Sequence, residues 1–289
     1  MLLLEVLALF TMGTRLSDRR QLSHANVVRM SMTSSPSTFE SSTSPESLSV
    51  IRSSNFLEER RPLKTALLAL AARTNRGEIA NSAEKEKAFD LVDQLEQLNP
   101  TNDPAASELT LGRWELVFSN THLFRSSPFF MAARAVCKDG EEASRFNLFC
   151  DLHRQALAFT SIGKVSQIIS ERRLISEFET VGAVLPGLPL TLKGTIESSA
   201  DIEAKTSESM SLFMDKVRIK RGSSNLPIFK GFLDGFDGLP IRRLGQELEK
   251  RLRNSYSNPR PIFRTRYVDA HMRISRDQDD NIFVYNRVL

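Results

Sequence analysis

Short stretches in which apolar and polar residues alternate recur from residue 112 onward, and they constrain the fold more than any other feature of this chain. In residues 112–119, Trp114, Leu116 and Phe118 fall on one face of an extended strand, and the residues between them fall on the other. Similar runs occupy residues 144–152, 155–161, 164–170, 173–181, 190–198, 210–221, 262–274 and 281–289. Eight or nine closely spaced strands with local turns predict a mainly β fold, an antiparallel barrel wide enough to hold one small ligand.

The region before these strands has a helical period instead. Apolar residues at 63, 67 and 70 share one helix face, and Gly77 follows where a C-terminal glycine is expected. Asn81 and Glu84 have the spacing of a capping box at the start of a second helix. That helix ends before Pro100, because proline disfavours helical geometry in the residue preceding it. Residues 56–98 are therefore expected to form a helical hairpin.

A second helical region interrupts the predicted strands at residues 226–253. Its first half is rich in Gly, Phe and Leu, and its second half is an amphipathic helix with a stripe of apolar residues at 241, 244, 248 and 252. An insertion of this size is often a lid or a binding loop. We interpret it as a peripheral contact with a membrane or lipid droplet, whereas ordinary packing across the barrel mouth is the alternative. The proposed contact residues are Phe229, Phe232, Phe236, Arg242 and Arg243.

Residues 1–55 have the composition of a leader and not of a folded domain. A short apolar run at residues 1–13 contains Glu5 and lacks a basic segment before it, and an Arg-rich, Ser-rich and acid-poor stretch follows. This composition is typical of an organelle transit peptide. A secretory signal, a bipartite leader and a disordered tail without an address are the alternatives. Residues 56–289 then form the folded domain.

Charge and cysteine content exclude several classes of protein. The 289 residues carry a net charge of only +4, too weak and too mixed in sign to indicate nucleic-acid binding. Two cysteines do not make a disulfide framework. No run of about 18 apolar residues is present, so any membrane contact is expected to be peripheral.

A search for catalytic and metal-binding patterns returns little. The chain has no nucleophile elbow, phosphate-binding loop, zinc-protease motif or dinucleotide fingerprint. Cys150 and His153 have a metal-like spacing, but they point to opposite faces if residues 144–152 form a strand. We therefore expect no catalytic residues, no metal and no cofactor.

The acidic residues Asp277, Asp279 and Asp280 are the strongest remaining candidate for a metal site. A calcium loop that begins at Asp277 needs glycine at its sixth position and glutamate at its twelfth, and the chain has Ile282 and Val288 there. Asp and Asn tolerate the positive φ angles of tight turns. The segment is therefore interpreted as the turn between the last two strands.

Aromatic and aliphatic residues at strand spacing are the candidate ligand contacts inside the barrel. Plain core packing is the alternative for all of them, because such residues fill small barrels as readily as they line pockets. The candidates are Trp114, Leu116, Phe118, Phe146, Leu148, Phe283 and Tyr285.

Four segments, in order and correctly spaced, resemble the plastid-lipid-associated proteins, also called fibrillins. The first is the helical pair, "LLALAARTNRGEIA" followed by "LVDQLEQLNPTNDP", and the second is the strand "LGRWELVFSN". The third is "FRTRYVDAHMRISRD", and the fourth is "NIFVYNR". The resemblance covers residues 63 to 287. It departs from the usual pattern at Ala270, Phe118 and Asp277, and residues 122–258 diverge too far to assign a subgroup or a ligand.

The resemblance implies a lipocalin-like barrel in the plastid, attached to thylakoids or plastoglobules, that binds a prenylquinone, carotenoid or acyl lipid without catalysing a reaction. A structural coat of plastid lipid bodies with no specific internal ligand is the alternative. An enzyme of lipid metabolism is a third option that no acid–base pair supports.

The last family segment also suggests polar contacts. On one continuous strand, Tyr267, Asp269, His271 and Arg273 share a face. These residues are expected to close the barrel end through ion pairs, or Arg273 or Arg276 binds a polar ligand head group, since guanidinium binds anions with paired donors. Tyr267 and Arg273 complete the predicted ligand-binding set.

Overall fold

The computed structural model describes residues 45–156, 160–183, 191–220, 238–252 and 256–289. Five α-helices lie in these residues: α1 Pro45–Arg73, α2 Ser82–Gln97, α3 Pro128–Val136, α4 Gly140–Ala156 and α5 Ile241–Leu252. Eight strands accompany them: β1 Gly112–Ser119, β2 Thr160–Ile169, β3 Arg173–Ala183, β4 Thr191–Lys205, β5 Ser209–Lys220, β6 Ile262–Val268, β7 Met272–Arg276 and β8 Ile282–Arg287. The segment through residue 44, which is most of the predicted leader, lies outside the described residues, as do Phe229, Phe232 and Phe236.

The eight strands form a closed antiparallel barrel in sequence order, which confirms the predicted fold class. Each strand pairs with the next, and β1 closes the ring by pairing with β8, with Leu116 opposite Tyr285. Each of these eight strands thus has a paired neighbour on both sides, although β5 and β6 meet over only three residue pairs. Helix α5 precedes the last three strands, as the predicted helical insertion requires.

Helices α1 and α2 form the predicted hairpin and pack on the outside of the barrel. Asn81 accepts a hydrogen bond from the Glu84 amide, and the Glu84 side chain accepts one from the Asn81 amide, so the predicted capping box is present. Apolar residues of both helices form one core with the outward side chains of β1, β6, β7 and β8. The members of this outer core include Leu67, Leu70, Val92, Leu95, Met272, Ile274 and Val284.

A tight loop between these helices fastens the hairpin to the end of β1. The Ser119 amide donates to the Arg76 carbonyl at 3.0 Å. Gly77 has φ +92°, and a Cβ at this position would lie 1.9 Å from the Ser119 carbonyl oxygen. Both the backbone angle and the close approach therefore require glycine at residue 77.

The run at residues 262–274, expected to be one strand, is two strands with a turn between them. Strand β6 ends at Val268, and β7 begins at Met272. The Asp269 carboxylate accepts hydrogen bonds from the amides of His271 (2.9 Å) and Met272 (2.8 Å), which is the local side-chain bonding that favours a turn. The prediction of a continuous strand is wrong because alternation alone does not detect this aspartate turn.

Residues 144–152, also expected to be a strand, lie in helix α4. The Asp139 side chain accepts a hydrogen bond from the Glu142 amide (2.8 Å) and so caps the helix start. Phe146, Cys150 and His153 are buried at helical spacing. Cys150 and His153 therefore lie on the same side of a helix, contrary to our expectation.

Residues 123–156 fold into the barrel opening, and we call this segment the plug. It consists of the 3-10 helix Leu123–Ser126 followed by α3 and α4. Helix α3 packs against β3, β4 and β5. Plug residues that pack against the barrel interior include Leu123, Phe124, Phe130, Met131 and Phe146.

The acidic segment 277–281 is the turn between β7 and β8, as predicted. Asp280 has φ +65°, and the Asp277 carboxylate accepts hydrogen bonds from the amides of Asp279 and Asn281. Arg134 of the plug donates from two nitrogens to Asp279 at 2.6 and 2.8 Å, and Arg125 donates to it at 2.8 Å. We call these bonds the latch, because they fasten the plug to the barrel.

None of the described helices combines the length and hydrophobicity that a membrane crossing needs.

Substitution of Gly77 by alanine is expected to destabilise the fold by roughly 2–4 kcal/mol, since it adds both a strained φ and a backbone clash. Urea unfolding followed by circular dichroism measures the change. Gly140→Ala is the matched control, because a Cβ at Gly140 meets nothing within 4 Å. Equal midpoints for the two variants would contradict the role given to Gly77.

Substitution of Asp279 by asparagine is expected to loosen the plug by about 1–3 kcal/mol, because it removes the charge that Arg125 and Arg134 share. Hydrogen exchange should then quicken in α3 while the β7 and β8 amides keep their protection. Glu141→Gln removes a plug carboxylate that pairs with the exposed Arg145, and it should leave exchange unchanged. Unchanged exchange of α3 in the Asp279 variant would show that the latch does not hold the plug.

Candidate functional site

The interior of the barrel is the candidate functional site. Inward side chains from seven of the eight strands, all except β7, meet there in one buried apolar cluster. The strand residues in the cluster are Trp114, Leu116, Val165, Ile169, Leu174, Phe178, Ala200, Met210, Leu212, Phe263, Val268, Phe283 and Tyr285. A long apolar chain can lose contact with water only in such a lining.

Five of the predicted ligand-binding residues lie inside the barrel. Trp114 and Leu116 project inward from β1, Phe283 and Tyr285 from β8, and Arg273 from β7. All five are essentially inaccessible to solvent. That any of them contacts a ligand stays a prediction.

Phe118 and Tyr267 lie outside the barrel, in the core beneath the helical hairpin. The β1–β8 register shifts between Leu116 and Phe118, and the β6–β7 register shifts between Thr265 and Tyr267. A β-bulge adds one residue and so reverses the alternation beyond it. The expected inward position of these two side chains is therefore wrong.

Phe146 and Leu148 do not line the barrel wall, because both belong to helix α4. Phe146 still reaches the interior cluster from the plug and is 1% exposed. Leu148 lies on the opposite side of the helix and is 58% exposed. The period of the buried residues Phe146, Cys150 and His153 is the signal that would have identified the helix.

The plug side chains that sequence reasoning missed form an aromatic cluster above the barrel interior. The rings of Phe124 and Phe130 are 4.5 Å apart, and His153 meets Phe124 edge-on at 4.9 Å. At the end of the 3-10 helix, the Ser126 carbonyl accepts a hydrogen bond from the Gln167 side-chain amide at 2.7 Å. The plug thus reaches a polar group in the middle of the barrel.

The polar centre of the barrel is built around Arg273, which is fully buried. Its Nη2 donates to the Gln167 side-chain oxygen, and its Nη1 has a longer contact of 3.4 Å with the Ser275 hydroxyl. The guanidinium carbon lies 4.1 Å from the ring centre of Tyr285 and 5.4 Å from that of Trp114. Gln167 and Ser275 are neutral, so these hydrogen bonds orient the cation without neutralising it.

Burial has opposite consequences for the two titratable groups at this centre. Desolvation lowers the pKa of Arg273 to about 10, which leaves the guanidinium charged at neutral pH. Desolvation raises the pKa of Tyr285, so its hydroxyl keeps its proton. The Tyr285 hydroxyl and the Arg273 Nε have no hydrogen bond of normal geometry, although Ser126 and Arg273 are close enough to affect the Tyr285 pKa.

One end of the barrel is closed by a stacked pair of residues from its two terminal strands. The Arg287 guanidinium lies 4.3 Å from the Trp114 ring centre. Arg287 also donates to the carbonyls of Leu111 (2.9 Å) and Ala270 (2.8 Å), and Trp114 donates to the Thr110 carbonyl. These bonds join the start of β1 to the end of β8.

Asp269 and Arg276, the other charged residues of the family segment, tie the helical hairpin to the barrel. Asp269 forms an ion pair with Lys64 of α1, which together with local hydrogen bonds outweighs burial and lowers the pKa of the carboxyl. Arg276 is bonded to Glu96 (2.8 Å) and Asp93 of α2. The expected ion pair therefore exists for Asp269, although it ties the hairpin to the outside of the barrel. Arg276, named as an alternative head-group contact, is paired with acids of α2, whereas Arg273 faces inward.

The two arginines assigned to membrane contact lie at the start of α5 in different environments. Arg242 is bonded to Asp201 at 2.6 Å and lies over the Phe213 ring at 4.6 Å. Arg243 is exposed to solvent. Only Arg243 presents its charge to an approaching surface without first breaking an ion pair.

Metal ligands are not grouped in the parts of the chain that the structure describes: no three or more His, Cys, Asp or Glu residues there are placed to hold an ion. The two cysteines are free thiols, and burial raises the pKa of Cys150 to about 12. A thiol with so high a pKa is a poor nucleophile at neutral pH.

Comparison with known proteins identifies the family of this chain. A family model described as PAP_fibrillin matches residues 61–286, which run from the C-terminal part of α1 almost to the end of β8. No curated protein and no solved structure matches the chain. The chain therefore belongs to the plastid-lipid-associated protein (fibrillin) family, a generally non-enzymatic family of lipid-associated proteins of the plastid.

Proposed function

We propose that this protein is a non-enzymatic carrier that holds one hydrophobic small molecule inside its barrel. The ligand classes are prenylquinones, carotenoids and acyl lipids, and the place of action is the thylakoid or the plastoglobule. The observation that carries the proposal is the closed barrel with a continuous apolar lining in a family of plastid lipid-associated proteins. Each CH₂ group moved from water into such a lining contributes about 0.8 kcal/mol.

The plug supports a carrier because it lies outside the strand pairing and is held by apolar packing together with the latch. Barrel strands are joined to one another by continuous ladders, whereas the plug contacts them mainly through side chains and the latch. Displacing the plug breaks no strand pairing. A ligand can thus enter while the barrel stays closed on itself.

We assign no reaction to the site, because the carboxylates near it are already bonded to other groups of the protein. Asp277 and Asp279 at the barrel opening are bonded to turn amides and plug arginines. General acid–base catalysis needs a titratable group that reaches a substrate proton. These carboxylates have structural partners, which favours binding over catalysis.

A structural coat of plastid lipid bodies is the second candidate, and the plug is also the observation that favours it. Phe124, Phe130 and Met131 pack against the interior cluster and occupy space that a ligand would need. A barrel that is permanently filled by its own chain has only its surface available for lipid. The two candidate functions differ in whether a ligand can replace the plug side chains inside the barrel.

Membrane association through the insertion is part of the carrier proposal. Arg243 is exposed at the start of α5, and further basic residues follow on this helix. Anionic lipid attracts each basic residue near its surface by about 1 kcal/mol. Phe229, Phe232 and Phe236 would insert at the same surface, and import by the predicted leader would bring the protein to the plastid.

Solvent extraction of the protein purified from its native membrane, followed by mass spectrometry, is expected to yield one hydrophobic compound at near-equal stoichiometry. Ala200→Phe places a large ring inside the barrel, where Ala200 is fully buried, and should lower the ligand content several-fold. Ala88→Phe overpacks the hairpin core and is the matched control for lost stability. Recovery of bulk lipid only, equal in all three proteins, would reject the carrier in favour of the coat.

Charge reversal at the exposed arginine, Arg243→Glu, is expected to weaken binding to vesicles that contain anionic lipid by roughly fivefold or more, as a change of two charges near the surface requires. Vesicle co-sedimentation measures the effect. Lys87→Glu makes the same charge change on an exposed position of α2. If both variants bind as the unmodified protein does, α5 is not the contact surface.

A further inference from the structure

Arg273 is a buried cation for which the described part of the chain provides no acidic partner. Two other buried arginines have one: Arg125 is bonded to Asp279 and Arg276 to Glu96. The buried Arg60 instead lies at the hairpin, where it donates to the Leu98 carbonyl at 3.4 Å. Transfer of an unpaired charge from water to a protein interior costs several kcal/mol even after relaxation. The aromatic rings around Arg273 recover part of this cost through cation–π attraction, but they supply no negative charge.

Two donors at this centre lack an acceptor of normal hydrogen-bond geometry. They are Arg273 Nε and the Tyr285 hydroxyl, which lies close enough to Arg273 and Ser126 to interact with both. Gln167 is held in place by its bond to the Ser126 carbonyl, which keeps its oxygen directed at the guanidinium. A planar guanidinium with a free Nε donor matches the oxygens of a carboxylate or phosphate.

We propose that the ligand of this barrel carries an acidic head group, a carboxylate or a phosphate, and that Arg273 is its counter-ion with Tyr285 as a second donor. The proposal rests on the carrier function above and selects among its ligand classes. A carotenoid hydrocarbon or a quinone supplies no charge, so either one leaves the guanidinium unpaired. An acyl or isoprenoid chain that ends in an acid supplies the charge and fills the apolar lining with its tail.

The plug provides the route to this head-group site. The Gln167 side-chain amide connects the Ser126 carbonyl of the plug to Arg273, and Phe124 and Phe130 belong to the interior cluster. Withdrawal of the plug frees space beside Arg273. The tail of the ligand then replaces plug side chains as the apolar cover of the cation.

Matched probes test the proposal directly on the delipidated full chain. Hexadecanoic acid, hexadecyl phosphate and hexadecanoic acid methyl ester share one tail and differ in charge. At pH 8, equilibrium dialysis should give roughly 10- to 100-fold tighter binding of one acidic probe than of the ester, as hydrogen bonds to a charged partner predict. The stronger of the two acids identifies carboxylate or phosphate as the head group.

Gln167→Glu is the decisive variant, because it places a carboxylate on the existing partner of Arg273 at almost no change in size. It is expected to abolish the preference for acid over ester while the ester still binds. Gln97→Glu makes the same change on an exposed position of α2 and should keep the preference. Arg273→Lys should retain a reduced preference, and near-ultraviolet circular dichroism of Trp114 checks that each variant is folded.

The outcomes separate this inference from the carrier function. Equal binding of acid and ester by the unmodified chain, or an unchanged preference in Gln167→Glu, would overturn the acidic head group and leave the carrier intact. Binding of none of the three probes, together with native extracts that contain no stoichiometric compound, would overturn both. The comparison on the unmodified chain needs no variant to fold.

Discussion

Pairing of the first strand with the last is the interaction on which the rest of this structure depends. Leu116 of β1 lies opposite Tyr285 of β8, so the pairing joins the first and last strands of the sequence. This contact converts a meandering sheet into a closed barrel and so creates an inside. Arg287 stacks on Trp114 at the end of the same pair and closes it. Without the pairing, the apolar faces of eight strands would lie on an open sheet, and no buried site for a head group or a tail would exist.

Closure also explains which parts of the fold the sequence could predict. Local patterns were sufficient for the capping box at Asn81, the acidic turn at Asp277 and most of the strands, because each depends on residues only a few positions apart. The inward or outward direction of a side chain depends on register, which is set by the partner strand. Bulges before Phe118 and Tyr267 reverse the inward and outward alternation of the side chains, and the sequence of neither strand predicts these bulges. Both residues therefore serve the outer core that anchors the helical hairpin.

The plug was missed for a different reason. In residues 144–152, apolar residues satisfy a period of two and a period of 3.6 about equally, so alternation alone does not distinguish strand from helix. The Asp139 cap decides the matter locally, and packing of Phe146 into the barrel opening decides it globally. A strand at this position would have added a ninth member to a ring that eight strands already close. Tertiary packing thus outweighs an ambiguous local preference.

The distribution of charge separates structural arginines from the one at the centre. Arg276 bonds to Glu96 and Asp93 on the outside of the barrel and fixes the hairpin, and Arg134 bonds to Asp279 and fixes the plug. Each of these pairs joins two elements, so its energetic contribution is to hold the architecture together. Arg273 forms no such ion pair between two elements. Its neighbours, Gln167 and the surrounding aromatic rings, are uncharged. A cation in the middle of an apolar barrel is destabilising unless something neutralises it, and stability alone would favour a hydrophobic residue of similar size. The presence of Arg273 is therefore better explained by a bound ligand that carries a negative charge.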